Sequence, residues 1–163
     1  MKADENTSQF ECGEVLKAYE AAPALVYGGL VFFALIGGYL FWDMLQDQSM
    51  IGKLDNALLL LFCLWRMHRC RDVLCYVTER GLVVRRKAES FADYWKMQRN
   101  EAAAYVFIEY EYIVAFRSTW REIEVGMPTE GGISLLSAEL AFLTKKAKAE
   151  ILKTVREQKE KKE

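Results

Sequence analysis

The chain has 163 residues, with 22 Lys and Arg against 23 Asp and Glu and a net charge of −1. That balance excludes a global basic field for attracting nucleic acid, and the length allows one apolar segment plus one small domain of roughly 100 residues. Cys12, Cys63, Cys70 and Cys75 lack CxxC or paired spacing, which argues against a disulfide framework or a zinc site and fits a reducing cytosolic or matrix-facing setting.

Residues 1–20 form an acidic N-terminal segment, unlike the basic start of a secretory signal or an Arg-rich presequence. From Ala21 to Trp42 the sequence reads AAPALVYGGLVFFALIGGYLFW, without a charge. As a helix this run spans about 30 Å, the thickness of a bilayer's hydrocarbon core. It is apolar all round, which a protein of this size can hardly bury, so a transmembrane helix is expected. Within it Ala34 and Gly38 make a small-xxx-small pair suited to close helix packing, against the second apolar run or another subunit.

A polar connector, Asp43–Asn56, leads to a second apolar run, Ala57–Trp65, too short to span at about 14 Å. Extended from Ile51 to Met67 it approaches 25 Å, provided Lys53 snorkels and Asp55 sits at the helix start. Residues 21–67 are therefore expected to form a transmembrane helical hairpin, with a re-entrant or half-buried second helix as the alternative. Arg66, Arg69 and Arg71 follow the second run, while the connector holds one Lys and three Asp. The positive-inside rule then puts both termini on the matrix or cytoplasmic side.

Beyond the hairpin, residues 70–156 read as a β-domain ending in a helix. Asp72–Thr78 alternates, with Val73, Cys75 and Val77 on one face and Leu74 and Tyr76 on the other. Glu79-Arg80-Gly81 and Leu82-Val83-Val84 follow, which predicts a β-hairpin around a three-residue loop. Ser90–Asn100 breaks the strand pattern: Ser90 and Asp93 fit a capping box, and Phe91, Tyr94, Trp95 and Gln98 share a helical face. Tyr105–Phe116 and Glu122–Val125 read as further strands, Met127–Gly132 as a turn, and Ile133–Leu136 as one more strand. Ser137 is the expected N-cap of a closing amphipathic helix with a stripe of Leu140, Leu143, Ala147, Ile151, Leu152 and Val155. Residues 157–163 form a charged tail.

Glu14-Val15-Leu16 with Pro23 before the first apolar run, the stretch Asp72–Val84 after the second, and the closing helix Ser137–Val155 resemble bacterial pleckstrin-homology-type membrane proteins. In these a transmembrane hairpin precedes a PH-like β-domain. The resemblance covers most of residues 12–156 and implies a small antiparallel sheet closed by a C-terminal helix, an α+β unit attached to a membrane hairpin. The aromatic insert Ser90–Ala104 departs from that pattern. Small mitochondrial inner-membrane assembly factors are similar in layout.

No phosphate-loop, nucleophile-elbow or metalloprotease motif occurs in the sequence. The single histidine, His68, with Cys70 supplies too few ligands for a closed metal site. The expectation is accordingly a non-enzymatic chain with no cofactor, no metal, no nucleic acid and no small-molecule substrate. Phe91, Tyr94, Trp95 and Trp120, beside Arg117 and Arg121, are candidate protein-binding anchors. Arg85, Arg86 and Lys87 are candidate contacts for anionic lipid headgroups. The expected function is an accessory subunit or assembly factor of a larger, possibly respiratory, membrane complex, in the mitochondrial inner membrane or the bacterial cytoplasmic membrane. Its alternative is a membrane-anchored bacterial PH-like protein that senses anionic lipid.

Overall fold

Strand pairing begins inside the segment that the sequence pattern left unassigned. Val15–Glu20 forms β1 and pairs antiparallel with β2, Val73–Thr78. The computed structural model describes Thr7 and residues 9–46, 49–69, 72–117, 119–127 and 131–161. Within these, α1 (Pro23–Gln46) and α2 (Met50–Arg69) follow β1, and after β2 come β3 (Gly81–Arg85), α3 (Phe91–Arg99), β4 (Tyr105–Glu109), β5 (Ile113–Phe116), β6 (Glu122–Gly126), β7 (Ile133–Ser137) and α4 (Lys145–Glu160). The chain is an α+β protein with two small antiparallel sheets, in the orders β1-β2-β3-β4 and β5-β6-β7. Residues 1–20 and 73–163 form one compact unit and residues 21–72 a second. The helical pair is thus inserted into the β unit, after its first strand, rather than preceding it.

In the helical unit, α1 and α2 pack antiparallel. Gly37 is buried, with Leu60 and Cys63 beside it, Arg66 lies over the Phe33 ring at 5.9 Å, and Asn56 Nδ2 donates to Asp43 Oδ2 at 2.9 Å. Among the described residues α1 is long and apolar enough to cross a membrane; α2 carries Lys53, Asp55 and Arg66 along its length. Helix α2 starts at Met50, five residues before Asp55, and the Ser49 hydroxyl accepts from the Gly52 N–H at 3.4 Å. The side chains of His68 and Arg69, and Cys70 and Arg71 entirely, lie outside the described residues.

The first sheet is covered on both faces. Tyr76, Val83 and Tyr105 form one cluster with Cys12 from the N-terminal segment, Met97 from α3 and Ala104. On the other face Cys75 sits opposite Val84, Val77 opposite Leu82, and Leu82 opposite Ile108, all buried. The alternation in Asp72–Thr78 is therefore real, yet neither face meets water. The β2–β3 loop is shorter than expected, because Gly81 already belongs to β3. Thr78 Oγ1 donates to Gly81 O at 2.9 Å and accepts from Gly81 N at 3.2 Å, which satisfies a fully buried hydroxyl.

Tyr105–Phe116 is two strands, not one. A 3₁₀ turn at Tyr110–Tyr112 redirects the chain from the first sheet to the second. Tyr110 is 1% exposed and its hydroxyl donates to Thr78 O at 2.6 Å, fixing the bend against the β2–β3 corner. The closing helix also starts later than the sequence suggests. Ser137 ends β7, Leu140–Phe142 forms a 3₁₀ turn, and Thr144 caps α4 by accepting from the Ala147 N–H at 3.1 Å. Ala147, Ile151 and Val155 form its buried stripe, and the helix runs on to Glu160, through much of the expected tail. It is fastened to β1 by Glu150, whose Oε2 accepts from Lys17 Nζ at 2.6 Å and from the Tyr19 hydroxyl at 2.9 Å. At its far end Lys159 Nζ donates to Ile113 O of β5.

At Gly81 a Cβ would stand 2.2 Å from Ile108 O and 2.8 Å from Glu109 Cα, both backbone atoms of β4. Gly81→Ala must push β3 from β4 and is expected to cost about 2 kcal/mol or more, read as an earlier denaturant midpoint by circular dichroism. A midpoint within experimental error of the parent would contradict this packing.

Candidate functional site

The geometry of the first sheet gathers most of the sequence-predicted site residues at one end. Glu20, the last residue of β1, is paired with Val73, the first of β2. Arg85, the last of β3, is paired with Tyr105, the first of β4, and the Cys75–Val84 pairing sets these two rows side by side. The chain therefore leaves for the helices and returns from them at the same sheet end that carries the β3–β4 connection. That connection holds the basic run and the aromatic insert. Tyr105 ties the end together, its hydroxyl donating to Val73 O at 2.8 Å.

The basic run is largely engaged within the protein. Arg85 Nε lies 3.2 Å from Glu139 Oε2. Arg86 grips Asp93 with both terminal nitrogens, at 2.7 and 2.6 Å, and donates from Nε to Ala103 O at 3.0 Å. This two-pronged pair is the strong form of the interaction. It ties the start of the insert to its first helical turn and to its end. Lys87 is exposed and its backbone N–H donates to Ser137 O at 3.0 Å. The expected headgroup trio thus has two guanidiniums committed to internal carboxylates.

The insert is the expected helix, and Ser90 caps it by accepting from the Asp93 N–H at 3.1 Å. The Asp93 carboxylate reaches the Glu89 N–H, one residue earlier than in a capping box, at 3.1 Å. The buried residue of α3 is Met97. Opposite it, Phe91 is 75% exposed and Trp95 48% exposed, their rings edge-to-face at 5.9 Å. Tyr94 is half-buried and meets Trp95 at 6.2 Å. A shallow groove of about 580 Å³ on this side is lined by Ala92, Trp95, Lys96, Arg99 and Asn100.

The other candidates lie elsewhere. Trp120, in the β5–β6 turn, has φ of +54°, a conformation a bulky side chain rarely adopts. Its ring stacks on Phe116 at 4.5 Å and sits under Lys148 Nζ at 5.6 Å, so it is a packing residue more than a projecting anchor. On α1, Ala34 and Gly38 are exposed and Gly38 has open space around it. The small residue that meets α2 is Gly37, one position away. The Cys75 thiol and the Tyr110 phenol are each pushed by burial up to about 12, so neither ionises near neutral pH.

Arg86 N donates to Ala104 O and Tyr110 N to Arg80 O, which fixes the ladder phase so that the Phe107 N–H and C=O point away from β3, to the open edge of β4. By the same logic, Met127 N donating to Gly132 O and Ala138 N to Arg121 O turn Ile133 and Leu135 to the open edge of β7. A cleft of about 380 Å³, lined by Val106, Ile108, Val125, Met127 and Leu136 among others, lies between these strands. Long-range pairing of this kind leaves no local signature. Comparison with known protein-family models, with curated proteins and with solved structures finds no match to the chain.

The Arg86 guanidinium, and after it the Glu89 N–H, hold the Asp93 carboxyl below its ordinary 3.8. A carboxyl lowered by folding stabilises above its unfolded value and loses that contribution as pH falls through the folded one. Protection of the Phe91–Arg99 amides, taken relative to their intrinsic exchange rates at each pH, is therefore expected to hold above 3.8 and to fall as pH is lowered beneath it. Asp93→Asn should give the reduced protection already at neutral pH. Unchanged exchange in the variant would show that the ion pair does not hold the insert.

Proposed function

We propose that the chain is a membrane-anchored, non-enzymatic accessory subunit or assembly factor of a larger membrane complex. The observation that carries this reading is α1, a 24-residue helix whose stretch from Pro23 to Trp42 holds no charged group, with Leu35 70% and Tyr39 68% exposed. Each such apolar side chain gains roughly 1.5–3 kcal/mol on leaving water, so a helix dressed this way calls for lipid or protein around it. With α2 as its antiparallel partner, the pair reads as a two-span hairpin. The pairing of Glu20 with Val73 suits an even number of crossings, since departure and return share one side.

A sheet of four strands, a sheet of three and one closing helix also support the PH-like reading of the β unit. In the proposed topology this unit and both termini lie on the matrix or cytoplasmic side of a mitochondrial inner or bacterial cytoplasmic membrane. A respiratory complex is the specific assembly proposed. The open edges of β4 and β7 and the cleft between them offer a partner subunit main-chain pairing plus an apolar slot. The rival reading, lipid sensing through Arg85, Arg86 and Lys87, is weakened by the carboxylates that already occupy the two arginines.

The test is extraction of native membranes in mild detergent followed by a native gel. The chain is expected in the pellet before extraction and within a large complex after it. Phe107→Pro, which deletes an edge N–H while sparing the β3 ladder, should stay in the membrane and leave the complex. A parent chain that runs alone sinks the subunit reading, and one recovered in the detergent-free supernatant sinks the anchor as well.

A further inference from the structure

Helix α3 has an exposed face whose composition suits a membrane interface. Counting round the helix, Phe91, Trp95, Arg99, Ala92 and Lys96 fall on the arc opposite buried Met97, and all five are exposed. This face carries two large aromatic rings and two cations, and its acid, Asp93, is turned away into the pair with Arg86. Aromatic rings beside Lys and Arg are the mixture that settles at a membrane interface: rings enter at headgroup depth while cations meet lipid phosphates.

Position supplies the second argument. The α3 connection leaves β3 and enters β4 at the sheet end where Glu20 and Val73 connect to the helices. Between Glu20 and Pro23 only Ala21 and Ala22 intervene, a tether of about 10 Å at full stretch. If α1 enters a bilayer, this end of the sheet is held at its surface.

We propose that α3 is an interfacial foot: Phe91 and Trp95 insert at the headgroup boundary of the leaflet that α1 enters, and Lys96 and Arg99 bind its anionic lipids. This rests on the membrane reading of α1 and names the partner of a different surface, leaving the β4 and β7 edges for protein. The foot adds a second point of attachment and so fixes the orientation of the β unit on the membrane.

The full chain is reconstituted into nanodiscs of phosphatidylcholine with and without phosphatidylglycerol. An environment-sensitive dye is placed on Ala92→Cys or, as control, on Ile133→Cys at the β7 edge, each in a Cys70→Ser background. Doxyl-lipid quenching is expected to be at least about twofold stronger at position 92 than at 133, stronger still with phosphatidylglycerol, and reduced by Lys96→Glu with Arg99→Glu. Amide exchange over Phe91–Arg99 in the unsubstituted chain provides the label-free readout, slower in anionic discs than in detergent. Equal quenching at both positions in a chain that still incorporates overturns the foot and leaves the anchor intact. Failure to incorporate overturns the anchor itself. Protection of this segment in native membranes but not in pure-lipid discs assigns the face to a protein and also overturns the proposal.

Discussion

The pairing of β1 with β2 is the constraint on which the rest of the architecture depends. It sets Glu20 opposite Val73, so that 52 residues of helical unit, 21–72, replace what would otherwise be a hairpin loop. A β-hairpin tolerates such an insertion because its ends stay fixed by the ladder, and lengthening a loop costs little once they are fixed. The consequence is organisational. The β3–β4 connection with α3 shares that sheet end with the chain's exit to the helical unit and its return.

A second consequence concerns the use of charge. Arg85 and Arg86, which the sequence offers as contacts for anionic headgroups, are instead paired with Glu139 and Asp93. Partly buried guanidiniums with paired carboxylates orient a segment more than they attract a ligand. Here they set the pose of α3, whose own Lys96 and Arg99 remain at the surface. The two basic groups have different tasks, one building the platform and the other furnishing its outer face.

Much of this was legible in the residues, and the failures share a cause. The apolar length of α1, the capped insert helix and the strands at Val73, Gly81, Glu122 and Ile133 all leave local patterns, as does the Ala147–Ile151–Val155 stripe. β1 does not, because Val15–Glu20 is an edge strand in which Tyr19 alone is buried. It offers no alternation to read. The break at Tyr110 was hidden because a Tyr that bends the chain and bonds Thr78 has the same β propensity as one that continues a strand. Ser137 and Thr144 are equally good caps, and only the pairing of Ser137 with Glu122 in the β6–β7 ladder assigns the first to a strand. For the site, the exposed aromatics were visible, but the partners of Arg85 and Arg86 and the cleft beside β4 arise from contacts distant in sequence.

The most direct test of the whole account is sidedness. In sealed, oriented vesicles, Ser49→Cys, between α1 and α2, and Ile133→Cys, on the β unit, are probed with a thiol reagent that does not cross membranes, both in a Cys70→Ser background. The two positions are expected to be labelled from opposite sides of the bilayer. Labelling of both from the same side would contradict a hairpin that crosses and returns.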